Sequence, residues 1–187
     1  MKPIDTTYKG RLFRSRLEAR WAVAFDSLGL QWDYEPEGFE LSDGTRYLPD
    51  FWLPDVNGGC WIEVKPFQPG DGFDVDPKVE AFSSSLGQTC QIFQVNGLPS
   101  PDPKRSSSGW DYCSCSEGKY RLSYLYDAPY DWCVCPITGK IGIQFDARGD
   151  RNGPSKNDEG YNANHPRLTA AWEAAHQARF EYGAQEF

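Results

Sequence analysis

Two short apolar segments carry three side chains able to do chemistry together. Asp50 lies in Tyr47-Leu48-Pro49-Asp50-Phe51-Trp52-Leu53-Pro54, and Glu63 and Lys65 lie in Cys60-Trp61-Ile62-Glu63-Val64-Lys65-Pro66. Both segments read as strands. Asp55-Val56-Asn57-Gly58-Gly59 between them is turn chemistry, with two glycines able to take positive φ, so a hairpin is expected. With the loop symmetric about Val56-Asn57, Leu53 faces Cys60, Trp52 faces Trp61 and Asp50 faces Glu63. Directly opposed carboxylates have Cβ atoms about 5 Å apart and repel each other. A divalent cation between them removes the repulsion, because hard cations take carboxylate oxygens. Lys65, two residues past Glu63, points to the same face, while Ile62 and Val64 point into a core. Two acids and a lysine on one face make a metal-and-water site suited to phosphodiester hydrolysis. The competing reading is a solvated strand face at Glu63 and Lys65, with Asp50 merely ending a strand.

The elements that must position these residues follow from periodicity. Ser15-Arg16-Leu17-Glu18 fits a capping box with Ser15 as N-cap. Leu17, Trp21, Ala24, Phe25 and Leu28 then recur at helical spacing, and Gly29 supplies a stop, which predicts a helix over 16–28. Glu18 therefore has two candidate roles, capping the helix or facing the site. Residues 31–35 read as a strand. Phe39–Leu41 and Arg46–Leu53 flank a turn at Ser42-Asp43-Gly44-Thr45, and 60–65 is the next strand. Asp76-Pro77 opens a helix through about Leu86, and Cys90–Val95 is a further strand.

Pro49-Asp50, then Glu63-Val64-Lys65 thirteen residues on, with Glu18 on an upstream helix, resembles the PD-(D/E)XK nuclease superfamily. The basic stretch Arg11-Leu12-Phe13-Arg14-Ser15-Arg16-Leu17-Glu18-Ala19-Arg20-Trp21 is similar to the opening of small nucleases of phages and mobile elements. The order helix, three strands, helix, strand is that of the superfamily's core, and the resemblance covers roughly residues 8–96. It implies an α/β fold with a restriction-endonuclease-like core, a mixed β-sheet flanked by helices. It implies a Mg²⁺-dependent (or Mn²⁺-dependent) endonuclease acting on DNA, by nicking, double-strand or branched-DNA cleavage. Asp50 and Glu63 would hold the metal with the Val64 carbonyl, and Lys65 would orient or deprotonate the attacking water. Glu18 would join the site directly or through water. Lys9, Arg11, Arg14 and Arg16 would hold the DNA backbone.

The 187 residues could form one domain, or one with an appendage, and long enough to bury a core. Residues 97–109, with three Pro, four Ser and two Gly, read as a linker. The expected division is therefore a nuclease core at 1–105 and a small Cys-containing β plus helix part at 106–187. In the latter, Tyr120–Tyr126 and Lys140–Phe145 read as strands. His165-Pro166 opens a helix with Leu168, Ala171, Trp172, Ala175 and Phe180 along one apolar stripe. His165 and His176 read as capping or surface residues. Cys113, Cys115, Cys133 and Cys135 form two Cys-x-Cys pairs that could hold a structural Zn²⁺. Against zinc, the knuckle pattern at Cys135-Pro136-Ile137-Thr138-Gly139 lacks its second cysteine, and buried free thiols are the alternative.

Net charge is −8, which is awkward for a nucleic-acid binder. It is unevenly spread. Residues 1–20 carry six basic residues against two acidic ones, a local +4, which leaves −12 on residues 21–187. A local basic patch can still hold phosphates. No apolar run is long enough to span a membrane, and Met1–Asp5 lacks a signal-peptide core, so a cytoplasmic protein of a bacterial or phage-infected host cell is expected, with reduced or metal-bound cysteines. Two other functions stay open: a catalytically silent DNA-binding or host-protein-interaction module of the same fold, and an RNA nuclease. A homodimer, or a protein partner bound through the C-terminal part, also stays open.

Overall fold

A computed structural model describes residues 3–66, 76–86, 91–99, 130–135, 138–145 and 165–180. In chain order the elements are β1 (Thr6–Tyr8), β2 (Arg11–Phe13), α1 (Arg16–Leu28), β3 (Asp33–Tyr34), β4 (Phe39–Glu40), β5 (Arg46–Tyr47), β6 (Phe51–Leu53), β7 (Cys60–Lys65), α2 (Pro77–Leu86), β8 (Gln91–Asn96), β9 (Tyr130–Val134), β10 (Ile141–Phe145) and α3 (Pro166–Gln177). The chain is mixed α/β. Tyr120–Tyr126, Cys90, Cys113 and Cys115 lie outside the described residues.

The central sheet has the order β3-β6-β7-β8. β3 and β7 both run antiparallel to β6, and β8 runs parallel to β7 through the α2 crossover. The hairpin register is the expected one, with Leu53 opposite Cys60 and Trp52 opposite Trp61. Its loop holds Asn57, Gly58 and Gly59 at φ of 52°, 82° and 111°. Gly59 is required twice over. Its φ suits glycine, and a Cβ there would lie 2.7 Å from the Trp52 ring.

α1 starts and stops where its caps dictate. Ser15 Oγ accepts from the Glu18 N–H at 3.2 Å, and Gly29 closes the helix in the left-handed region. The expected strand Arg46–Leu53 is in fact two. Pro49 has no N–H to give a ladder and restricts Leu48, so the chain leaves β5 at Tyr47 and re-enters as β6 at Phe51. β5 pairs with β4, whereas β6 pairs with β3 and β7. Beyond that break it is the Asp50 side chain that meets β7, at the Val64 N–H.

The alternation of β7 and β8 sorts side chains to two faces. Ile62, Val64, Phe93 and Val95 join one apolar cluster with Trp21, Phe25 and Phe51. Trp61 and Ile92 join a second with Leu41, Tyr47, Val79 and Phe82. α1 therefore covers one face of the sheet, and α2 with β4 and β5 covers the other.

The first cluster also contains Trp132, Val134, Ile141, Ile143, Leu168, Ala171, Trp172 and Ala175. Trp21 meets Trp132 and Trp172 with ring centroids 6.1 and 5.9 Å apart. Among the described residues, a boundary at 105 thus separates sequence segments but not hydrophobic cores. Polar ties reinforce the join. Asn57 Nδ2 donates to the Ile143 carbonyl at 2.9 Å while its Oδ1 accepts from the Ile143 N–H at 3.1 Å. The Arg20 guanidinium caps the end of α3 on the carbonyls of Ala175 and His176. His165 serves as the α3 N-cap, and His176 Nε2 lies 2.7 Å from the Pro99 carbonyl oxygen, so neither histidine faces the site built below. No helix among the described residues is long and apolar enough to cross a membrane.

Candidate active site

One polar row crosses all four strands of the central sheet. Glu63 on β7 is register partner to Gln94 on β8. One step beyond the β6–β7 pairs, Asp50 falls opposite Glu63, and one step beyond the β3–β6 pairs, Glu35 falls opposite Asp50. The Glu35 N–H donates to the Asp50 carbonyl at 2.9 Å, which continues that ladder. Glu35 takes a left-handed φ of 46°, a sparsely populated conformation for a residue with a Cβ. Three carboxylates and one amide thus line up where β7 and β8 end, the side on which open α/β sheets place ligands.

Asp50 is 3% exposed and Glu63 6%. Asp50 Oδ2 accepts from the Val64 N–H at 2.7 Å, and its Oδ1 accepts from Arg14 Nη2 at 2.8 Å. Burial raises the Asp50 carboxyl well above the ordinary carboxylate range, and the charges of Glu63 and Glu18 raise it further. The Val64 N–H and Arg14 offset only part of this. Glu63 is held by two donors. The Tyr47 hydroxyl donates to Oε2 at 2.8 Å, and Lys65 Nζ lies 2.7 Å from Oε1. Burial, with Glu63 beside it, pushes the Tyr47 phenol far up, so it stays a neutral donor.

Lys65 Nζ also lies 2.8 Å from Asp76 Oδ2, at the start of α2. Burial disfavours the ammonium, but Glu63 and Asp76 outweigh it and raise the Lys65 pKa. Lys65 is therefore a fixed cation and hydrogen-bond donor. Gln94 steadies Asp76 from behind, its Oε1 accepting from the Asp76 N–H at 2.8 Å.

Glu18 faces this cluster and caps its helix at once. Oε1 accepts from the Ser15 hydroxyl at 2.7 Å. Oε2 accepts from the Tyr34 hydroxyl at 2.6 Å and from the Arg14 N–H at 3.1 Å. The Glu18 carboxylate is thereby held between the start of α1 and β3, where its charge is one of those that raise Asp50.

The basic residues separate. Arg14 enters the site, pairing with Asp50 and, through Nε, with Glu35 Oε1 at 2.5 Å. Lys9 pairs with Asp26 at 2.7 Å, Arg11 lies over the Trp32 ring at 5.2 Å, and Arg16 is the first residue of α1. Cys133 and Cys135 are buried at the C-terminal hairpin. Cys133 Sγ lies 3.5 Å from the Gly142 carbonyl oxygen, and Cys135 Sγ accepts from the Thr138 N–H at 3.4 Å. The expected zinc set with Cys113 and Cys115 reaches outside the described residues.

Glu35, Tyr34, Tyr47, Asp76 and Gln94 are site neighbours that the sequence motif does not announce. Glu35 could be found by pairing strand 31–35 against 50–53. Asp76 reads from sequence only as the start of a helix.

Among the described residues, no group of three His, Cys, Asp or Glu side chains stands arranged to hold a metal ion. Asp50 and Glu63 are engaged by Arg14 and Lys65 instead. The donor chemistry still fits a hard cation. Two buried carboxylates of adjacent strands face each other, and Asp50 resists ionising because it is buried and because Glu63 and Glu18 stand near it. Compared with known proteins, the chain matches no family model, no curated sequence and no solved structure.

Proposed function

We propose that the chain is a metal-dependent endonuclease that hydrolyses DNA phosphodiester bonds, on a restriction-endonuclease-like core, in a cytoplasmic setting. One observation carries the reading. Asp50 and Glu63 are buried carboxylates on neighbouring strands, and a Lys65 ammonium lies 2.7 Å from Glu63. Such a pair costs stability by itself, and a function that needs a cation accounts for it. Asp50 and Glu63 would hold Mg²⁺ or Mn²⁺, with the Val64 carbonyl beside them. A divalent cation there supplies Lewis-acid polarisation of a phosphoryl oxygen and a lowered pKa for water.

The chain's own groups do the rest. The Val64 N–H fixes one oxygen of Asp50, and Tyr47 fixes one oxygen of Glu63, so both carboxylates are aimed in advance. Lys65, kept charged by Glu63 and Asp76, donates to the attacking water and offsets charge gathering on the phosphate. Its raised pKa favours this orienting role over proton abstraction. Lys9 and Arg11, exposed on the β1–β2 hairpin, would contact the backbone of the duplex, which positions without reading sequence.

Incubating plasmid DNA with the full chain and Mg²⁺ or Mn²⁺ tests the reading. Nicked or linear product, stopped by EDTA and by Asp50→Asn, is expected. Intact plasmid under every metal would overturn it. A binding module that does not cleave is the second reading. It is favoured by the net charge of −8 and by the pairing of Arg14 and Lys65 with carboxylates. Retention of DNA in a mobility-shift assay without cleavage would select it.

A further inference from the structure

We propose that Arg14 is a parked phosphate ligand: its guanidinium holds Asp50 until a cation displaces it, then pivots on Glu35 toward the substrate phosphate. The proposal rests on the reading of Asp50 as a metal ligand.

The backbone of Arg14 cannot move far. Phe13 before it is fully buried, Ser15 after it caps α1, and its N–H is shared between Glu18 Oε2 and the Tyr34 hydroxyl, each at 3.1 Å. Its side chain is 57% exposed, so the guanidinium alone is free to swing. Two different nitrogens grip two different carboxylates. Nη2 holds Asp50 Oδ1 at 2.8 Å, and Nε holds Glu35 Oε1 at 2.5 Å. One grip can be released while the other persists.

Each Asp50 oxygen is already held, Oδ2 by the Val64 N–H and Oδ1 by Arg14. A cation binding Asp50 through Oδ1 competes with Arg14, and one binding through Oδ2 meets the repulsion of its charge. Glu35 is the pivot. It is held in a strained left-handed conformation directly beside Asp50, and its Oε1 is buried against Arg14 Nε at 2.5 Å. Among the described residues, five carboxylates, Glu18, Glu35, Asp50, Glu63 and Asp76, stand against two cations, Arg14 and Lys65, in this cluster. A divalent cation relieves that excess and loosens the hold of Asp50 on Arg14. A guanidinium has five N–H donors, so one tethered by Nε to Glu35 keeps a free edge for two phosphate oxygens.

The test is calorimetric titration of the full chain with Mn²⁺ in the absence of DNA, together with plasmid cleavage at saturating Mn²⁺. Arg14→Gln, with Arg14→Ala as a second variant, is expected to bind Mn²⁺ roughly tenfold tighter than the unmodified protein, because a competing positive charge is gone. The same variants are expected to cleave about tenfold or more slowly. A merely structural role would weaken both together. Asp50→Ala is the control and is expected to abolish Mn²⁺ binding. If it does so while Arg14→Gln binds Mn²⁺ no tighter, or cleaves as fast as the unmodified protein, the parked arginine is wrong and the metal site stands. If the unmodified protein takes up no Mn²⁺, or Asp50→Ala binds it equally well, the metal site falls and the parked arginine falls with it.

Discussion

Asp50 crosses to β7 with its side chain rather than its backbone, accepting from the Val64 N–H at 2.7 Å just where the β6 ladder ends. The carboxylate replaces a strand partner and so cannot turn away from Glu63. The cost of that placement should be measurable without any substrate. Burial and the neighbouring acids raise the Asp50 pKa in the folded chain, so its ionisation opposes folding. The stability tied to its proton is complete below the unfolded value, near pH 4, and is lost as pH rises through the folded value. Asp50→Asn in EDTA should therefore melt above the unmodified protein at pH 8. The gap should close as pH falls toward 4. Thermal melts of the two proteins across that range check the sign, and a gap that widens toward acid would contradict it.

Lys65 bridges Glu63 and Asp76, so its removal has two consequences. On the endonuclease reading, Lys65→Met should reduce cleavage by about a thousandfold, since a charge proposed to stand at the phosphate is lost. It should also destabilise the metal-free chain by about 2 kcal/mol, because Glu63 is left buried without its cation. Adding Mg²⁺ should restore part of that stability and none of the activity. Urea melts with and without Mg²⁺, run beside a cleavage assay, separate the two effects.

Glu18 should behave as a positioning residue. Its two oxygens accept from the Ser15 hydroxyl, the Tyr34 hydroxyl and the Arg14 N–H. Glu18→Gln keeps one acceptor oxygen and is expected to cost about 1 kcal/mol of stability. Mn²⁺ affinity should stay within about threefold of the unmodified protein if the carboxylate does not itself touch the metal, since a threefold change is well under 1 kcal/mol. A loss of Mn²⁺ binding as complete as that of Asp50→Ala would instead make Glu18 a ligand.

Asn57 joins the hairpin loop to the edge of β10 by imitating a strand residue, donating and accepting on Ile143. Asn57→Ala removes both bonds and places a Cβ-bearing residue without Asn's tolerance at a φ of 52°. A loss of about 2–3 kcal/mol is expected. Amide exchange at Ile143 should accelerate more than exchange at Phe93. Uniform acceleration would mean that the loop and the C-terminal hairpin open only with the whole molecule.

The legible parts of this fold are local. Asn57-Gly58-Gly59 fixes a turn, and the alternation of β7 puts Ile62 and Val64 on one face and Trp61 and Glu63 on the other, so the register of β6 on β7 can be read directly. Ser15 and Gly29 fix α1 for the same reason. Glu35 is hidden because its partner Asp50 lies across a strand pairing that no turn between neighbours specifies. Arg14 reads from sequence as one of a basic group that would hold the DNA backbone, and only the return of β3 and β6 gives it two carboxylates. The apolar stripe of α3 shows that Leu168 and Trp172 are buried, but periodicity does not name the surface that buries them. Proline, serine and glycine at 97–109 suggest a domain boundary, while the aromatic contacts of Trp21 cross it.

That shared core makes the candidate site depend on parts of the chain synthesised after it. Asp50, Glu63 and Lys65 leave the ribosome long before Trp132, Ile143 and Trp172, which pack behind the sheet that carries them. A nascent chain stalled near residue 105 holds every candidate catalytic side chain and lacks the backing that would hold the strands in place. Such a fragment would leave uncovered the apolar surface of α1 and β7 that Trp132, Ile143 and Trp172 pack against.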